Sequence, residues 1–399
     1  MTRNGIPMWL GIALANFTVA WGGNQYTPML IFYRQQGVFS SLFVDLMLVS
    51  YAAGIAVGLL VAGHLSDRYG RKPVMMPIPI VAAIASLAIA IGEQNELLMT
   101  VGRFLAGIAV GVAMTAGGAW IKELSSRKFD PKAVPTSGAK RASMALTAGF
   151  ALGPVCSGVL AQWVAMPGKL PYLVHIVISI AAIWLIKDLP ETRHSTHLHE
   201  KGGFLKDMAI PSIKAPRFLL VVTPMAPWVF GAGFTSYAIL PAQIRHLMTY
   251  PIAMTALIAL VTLGSGFLIQ QVGPQIAGES KVRGPVTALV LTVIGMGLAT
   301  IDVTHPSVWF TMICGVFLGV TYGLCSYIGL AETQEIATPE DMAGLTGIFY
   351  ILSYVGMLFP AALTKLSDWF SYTEMLGFGV AVALFSLVAT IFNARRLPR

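Results

Sequence analysis

The sequence predicts an all-α integral membrane protein: twelve transmembrane helices in two pseudo-symmetric six-helix halves. Three observations predict it. Hydrophobic residues make up 56% of the 399 residues and charged ones 11%, with a mean hydropathy of +0.72, whereas a soluble domain carries about 25% charged residues. The apolar residues fall in twelve runs of roughly the 20 residues a helix needs to cross a bilayer. One polar gap, Asp188 to Pro216, is long and central, and divides the chain into residues 1–187, a central loop 188–216 and residues 217–399.

The runs lie near 7–32, 41–64, 73–93, 97–121, 140–164, 170–187, 217–243, 251–277, 284–302, 306–331, 342–364 and 373–393. The first is too long for the apolar region of a signal peptide and has no clear cleavage site. Cys156, Cys314 and Cys325 all fall inside apolar runs, so no disulfide framework is implied. The net charge of +8 is distributed by side. With the N-terminus inside, alternate gaps and the two termini collect 21 Lys and Arg and the opposite side four, with Arg103 left inside a helix. The positive-inside rule places both termini in the cytoplasm of a cell (inner or plasma) membrane. The basic excess is a topology signal and not a nucleic-acid footprint.

The gap after the second run holds Gly63-His64-Leu65-Ser66-Asp67-Arg68-Tyr69-Gly70-Arg71-Lys72, which reads as a short, positive loop in water. Gly63 lets the second helix approach a neighbour, and Gly70 permits a tight turn. Asp67 is placed to face a helix N-terminus, such as the one opening at Thr338-Pro339-Glu340-Asp341. Arg71 needs an acid, and Glu123 at the end of the fourth helix is well placed. The decapeptide resembles the G-x-L-a-D-r-x-G-r-k signature of the major facilitator superfamily. That resemblance implies a transporter alternating access by rocking of its halves. It also implies a conformational latch of Asp67, Arg71 and Glu123, with Gly63, Arg68, Gly70 and Lys72 completing the motif. The alternative is a loop that only enforces topology.

The fifth run contains Gly149-Phe150-Ala151-Leu152-Gly153-Pro154-Val155-Cys156-Ser157-Gly158. Gly149, Gly153, Pro154 and Gly158 resemble the G-x-x-x-G-P-x-x-G-G motif of drug–proton antiporters within the superfamily, with Ser157 in place of one glycine. Small residues at this spacing make a smooth strip for a neighbouring helix, and Pro154 frees a backbone carbonyl. Ordinary helix packing is the competing reading.

Arg103, in the fourth run, resembles a third family motif whose arginine assists proton transfer, although Ala106 stands where that motif has glutamine. A charge at the bilayer centre costs at least about 2.5–3.5 kcal/mol, so it faces protein or water, or snorkels to the outer interface. Asp45, at a similar depth on the second helix, is the candidate partner and the candidate coupling acid, its proton affinity changing as solvent access and pairing alternate. The bland alternative is an interfacial acid at a helix start.

Many drug exporters carry an acid on the first helix; this chain has the uncharged Asn24 and Gln25 beside Tyr26. With Trp228, Tyr237, Tyr327 and Tyr354, these form the candidate substrate cavity, suited to an amphipathic molecule. Trp21, Tyr322 and Tyr350 belong to the same aromatic set, for any one of which packing is the simpler role. Glu332 is expected as a solvated helix end. His194, His197 and His199 read as a hydrophilic loop in preference to a metal site, and no cofactor is expected. A weak internal repeat aligns Gly63, Leu65 and Gly70 with Gly266, Leu268 and Gly273. No phosphate-binding loop occurs, and no nucleophile–base constellation points to an enzyme. The expected function is proton-coupled efflux of a small amphipathic molecule by a monomer in the lipid bilayer. The alternatives are a uniporter or symporter for a metabolite, and a transport-inactive sensor or scaffold.

Overall fold

The computed structural model describes residues 7–134, 137–193, 210–338 and 342–396, without the side chains of His64, Asp67 and Ala343. Among these residues there are helices and no strands. Twelve helical spans result. The first, α1, is Met8–Asn24, continuing after a turn at Gln25 as Tyr26–Gln36. Then come α2 (Ser41–Tyr69), α3 (Arg71–Ile91), α4 (Glu96–Leu124), α5 (Ser137–Trp163) and α6 (Leu170–Ile186). The second set is α7 (Phe218–Leu247), α8 (Pro251–Ala277), α9 (Arg283–Thr304), α10 (Val308–Ile336), α11 (Gly344–Leu366) and α12 (Tyr372–Arg396). Among the described residues, ten are long and apolar enough to cross a membrane. The remaining two are α1, which is interrupted, and α6, which has 17 residues.

The chain divides into two compact units. Unit 1 comprises residues 1–39 and 50–203, and unit 2 residues 40–49 and 204–399. In unit 1, α1 packs on α5 and α6, and α3 on α4 and α6. In unit 2, α7 packs on α11, α8 on α10, and α9 on α10 and α12. Glycines set the closest approaches. A Cβ at Gly54 of α2 would stand 2.1 Å from the Phe104 carbonyl oxygen of α4, and one at Gly107 of α4 2.1 Å from the Tyr51 oxygen of α2. Unit 2 repeats this seam, with Gly319 of α10 2.2 Å from the Thr262 oxygen of α8 and Gly323 2.2 Å from the Gly266 oxygen. Such contacts let backbones meet where lipid removes the hydrophobic drive for helix association.

These seams correct the internal repeat. Tyr51 sits ten residues into α2 and its counterpart Thr262 eleven into α8, whereas Gly63 sits 22 into α2 and Gly266 only 15 into α8. The three-residue match is out of register by about two helical turns. Gly63 also departs from its expected role, because among the described residues a Cβ there would meet nothing within 4 Å. The close approach belongs to Gly54, two to three turns earlier. The decapeptide itself is mostly helix. Its first seven residues, 63–69, complete the 29-residue α2, and only Gly70 lies outside a helix. At 1.5 Å per residue, α2 is about 44 Å long, longer than the roughly 30 Å hydrocarbon core, so its polar last turns can leave the bilayer without unwinding.

Gly54→Leu is therefore expected to lower stability by about 1–3 kcal/mol or more through overpacking, while Gly63→Ala leaves it equal or slightly higher, since Gly costs a helix interior roughly 0.5–1 kcal/mol against Ala. Thermal unfolding in one detergent compares the two; equal losses would contradict the seam.

Candidate functional site

Three groups of side chains lie in chemically distinctive surroundings. The first is at the Gly70 end of unit 1. Gly70 has φ +102°, a region that favours glycine, and a Cβ there would stand 2.5 Å from Glu191 Oε2. Arg71 is buried and donates from Nη2 to Glu123 Oε1 at 2.9 Å and from Nη1 to Ser66 Oγ at 2.8 Å. The structure thus brings Arg71 and Glu123 together. Arg68 is exposed, its guanidinium 5.7 Å from the Tyr69 ring centroid, and Lys72 donates from Nζ to the Leu189 carbonyl at 2.9 Å. The side chain of Asp67, the helix start at Pro339–Asp341 proposed to face it, and His194, His197 and His199 lie outside the described residues.

Sequence reasoning missed Glu191. The segment after α6 crosses the start of α3 and the end of α4. Glu191 accepts backbone N–H groups of Arg71 (3.0 Å), Lys72 (2.9 Å), Thr192 (2.8 Å) and Arg193 (2.9 Å). Thr192 Oγ1 donates to Glu123, and Trp120 Nε1 donates to the Pro190 carbonyl at 3.1 Å. A carboxylate at the start of a helix meets unpaired N–H groups and the positive end of the dipole. Partial burial raises the Glu191 pKa, but the four backbone donors outweigh it and hold the carboxyl below its ordinary value. The sequence holds no distinctive signal for it, since Asp188, Glu200 and Asp207 share the same central loop.

The second group surrounds the break in α1. Pro154 removes the N–H that would bond the Phe150 carbonyl within α5. Asn24 Nδ2 takes that carbonyl at 2.7 Å. Ser157 Oγ, one turn on, donates to the Gln25 carbonyl at 2.7 Å. A Cβ at Gly149 would stand 2.3 Å from the Phe17 oxygen and one at Gly153 2.5 Å from the Trp21 oxygen, so α5 meets α1 backbone to backbone; Gly158 is buried in the same helix. Arg103 is 1% exposed, which overturns its snorkelling alternative. Its Nη1 donates to the Gly23 carbonyl at 3.1 Å, and its guanidinium carbon lies 4.5 Å and 4.3 Å from the ring centroids of Tyr26 and Tyr51. Ring faces and a carbonyl are weak counter-charges that stabilise a desolvated cation.

The third group is in unit 2. Asp45, near the start of α2, is fully buried and accepts from Thr364 Oγ1 at 2.5 Å; Asp45 and Arg103 fall in different units. Trp228 lies edge-on to Phe359, Tyr237 edge-on to Phe234, and Tyr354 stacks on Phe230 with centroids 4.3 Å apart. Tyr327 covers Gly273. The solvated-end expectation for Glu332 does not hold. Glu332 and Arg217 are each 3% exposed and 2.6 Å apart, and Arg217 Nη2 also donates to the Lys281 carbonyl at 2.7 Å. The acid is buried because Arg217, the residue just before α7, reaches across its helix end. An apolar cavity of about 400 Å³ lies between α2, α3 and α4, lined by residues such as Val57, Val61, Pro73 and Ile108. None of the candidate cavity residues lines it.

The profile of the Major Facilitator Superfamily matches residues 12–361. The chain is 20% identical over 385 residues to a chloramphenicol resistance protein of Pseudomonas aeruginosa, covering 94% of this chain and 88% of that one. It is 25% identical over 358 residues to the multidrug resistance protein MdtL of Escherichia coli O157:H7, covering 87% and 85%. It is 22% identical over 404 residues to the sialic acid transporter NanX of Escherichia coli K12, covering 97% and 90%. Among solved structures, a D-xylose–proton symporter matches with TM-score 0.73 at 15% identity over 98% of each chain, and the nucleoside transporter NupG with 0.74 at 11% identity over 98% and 100%. These two show the fold. The chain belongs to the major facilitator superfamily and is a multi-pass membrane transporter by family.

Glu191→Gln tests the Gly70 end by its pH dependence. The native pKa is depressed, so the stabilisation is present above the unfolded value of about 4.3 and is lost as pH falls through the native one. The variant is expected to melt below the native chain at pH 7, with the gap closing toward pH 3. A gap independent of pH would refute the charged capping role.

Proposed function

We propose, from that family membership, that the chain is a proton-coupled exporter of a small amphipathic molecule. Both termini are cytoplasmic in the plasma or inner membrane, and the working unit is a monomer. The observation that carries this reading is Arg103, a buried cation held at the break of α1 by the Gly23 carbonyl and two tyrosine faces. A fixed positive charge at a helix break, inside the membrane, changes its energy with every change in hydration or in nearby charge. In this reading Asp45 is the coupling acid and Arg103 its electrostatic counterpart in the cycle. Asp67, Arg71 and Glu123 latch one state at the Gly70 end, and α1 and α5 move together on their glycine seam as the halves rock. Asn24, Gln25, Tyr26, Trp228, Tyr237, Tyr327 and Tyr354 receive the substrate. The two resistance proteins among its relatives support export of a drug-like compound.

A second reading, a uniporter or symporter for a polar metabolite, is favoured by the uncharged Asn24 and Gln25 at the break and by the likeness to a sialic acid transporter.

Proteoliposomes with an imposed pH gradient, loaded in turn with chloramphenicol, ethidium and other amphipathic dyes, separate them: antiport drives substrate against the proton flow, symport with it, and uniport ignores it. One pH unit is worth about 1.4 kcal/mol per proton, so one-for-one exchange is expected to build about a tenfold concentration ratio per unit. Asp45→Asn is expected to abolish the dependence on the gradient. Movement that ignores the gradient would favour the uniporter.

A further inference from the structure

His175 of α6 is buried to 1% exposure in the middle of a helix, and neither the latch nor the Asp45 and Arg103 reading uses it. For the neutral ring, its hydrogen bonds fix the tautomer. Nε2 lies 2.9 Å from the Thr18 carbonyl of α1, which can only accept, so Nε2 carries the hydrogen. Nδ1 lies 2.7 Å from Ser86 Oγ of α3 and accepts from that hydroxyl. Ser86 Oγ accepts in turn from Gln25 Nε2 at 3.2 Å. Gln25 is fully buried, and its Oε1 has no partner among the described residues. The ring sits directly under α1, where a Cβ at Gly22 would stand 2.2 Å from Cε1.

We propose that His175 is a proton-binding site, with Ser86 and Gln25 as its relay, and that proton uptake there acts on the break of α1. A second proton makes Nδ1 a donor, which turns the Ser86 hydroxyl round. That hydroxyl then needs an acceptor, and the orphaned Gln25 Oε1 becomes one when the amide rotates. One unpaired amide atom replaces the other, so the charged ring is accommodated without adding an unpaired buried atom. An apolar site offers no such exchange.

The groups facing the ring are the Thr18 carbonyl and Gly22 from α1, Ser86 from α3 and Ser179 of α6 at 3.3 Å. All are uncharged. The α5 helix reaches the network only through Ser157 on the Gln25 carbonyl. On α1, Arg103 holds the Gly23 carbonyl, adjacent to Gly22. A charged His175 therefore acts on the same stretch of α1 that Arg103 holds, through the Thr18 carbonyl and the Gln25 amide. This role in transport rests on the proton-coupled reading above; the binding site does not.

The test uses a variant keeping His175 as its only histidine, the other six replaced by Gln, labelled with ¹⁵N-histidine in lipid bilayers. Solid-state NMR is expected to show the neutral Nε2–H tautomer at pH 8 and both nitrogens protonated on acidification toward pH 4. Adding Ser86→Ala is expected to weaken proton affinity about tenfold, one pH unit. A ring that stays neutral to pH 4 in folded protein, or an Nδ1–H tautomer at pH 8, overturns the proposal. In parallel, ethidium movement in proteoliposomes compares the native chain with His175→Gln. Loss of gradient dependence in the variant supports the coupling role. A titrating ring with no gradient-driven movement in the native chain keeps the site and removes the coupled reading. Gradient-driven movement unchanged in His175→Gln overturns the coupling role and leaves proton-driven transport standing.

Discussion

Inside a bilayer every backbone polar group must find its partner within the protein, and this constraint organises the centre of unit 1. Pro154 takes one donor out of α5, and the turn at Gln25 interrupts α1. Each defect is repaired by the other helix, Asn24 reaching the Phe150 carbonyl and Ser157 the Gln25 carbonyl. The repairs require the two backbones to touch, which Gly149 and Gly153 allow. A proline, two glycines, a serine and an asparagine thus form one device.

Polarity introduced for that repair is then used by the surroundings. Arg103 binds at Gly23, and the His175, Ser86 and Gln25 chain ends one residue past Asn24. Burial makes each of these groups costly unless it is satisfied, so the network shifts between a few defined arrangements in preference to loosening gradually. The Gly70 end is built differently. There a carboxylate from the segment after α6 caps α3 while Arg71 pairs with Glu123, in reach of water.

Much of this was legible in the sequence. Twelve apolar runs gave the helices with ends shifted by a few residues, and the Arg71–Glu123 contact followed from charge need. Hydropathy marks where a chain leaves lipid, not where its helix stops, so the decapeptide read as a loop although α2 continues to Tyr69. The repeat was misaligned because three matching letters carry less information than the backbone contacts at Gly54, Gly107, Gly319 and Gly323. Glu332 read as solvated because its partner, Arg217, lies 115 positions away. Glu191 and His175 escaped notice for the same reason, since their partners come from other helices and a single acid or histidine announces nothing.

The claim that Asn24 serves the carbonyl freed by Pro154 is tested most directly by a double-mutant cycle of Asn24→Leu and Pro154→Ala, read by equilibrium unfolding in mixed micelles. Interhelical hydrogen bonds in membranes are worth about 0.6 kcal/mol on average and up to about 1.7. Asn24→Leu should cost less by that amount in the Pro154→Ala background, where the backbone N–H returns to Phe150, the loss of the Thr27 Oγ1 bond to Asn24 Oδ1 being common to both. Equal costs in both backgrounds would show that the two defects are independent and would contradict the account.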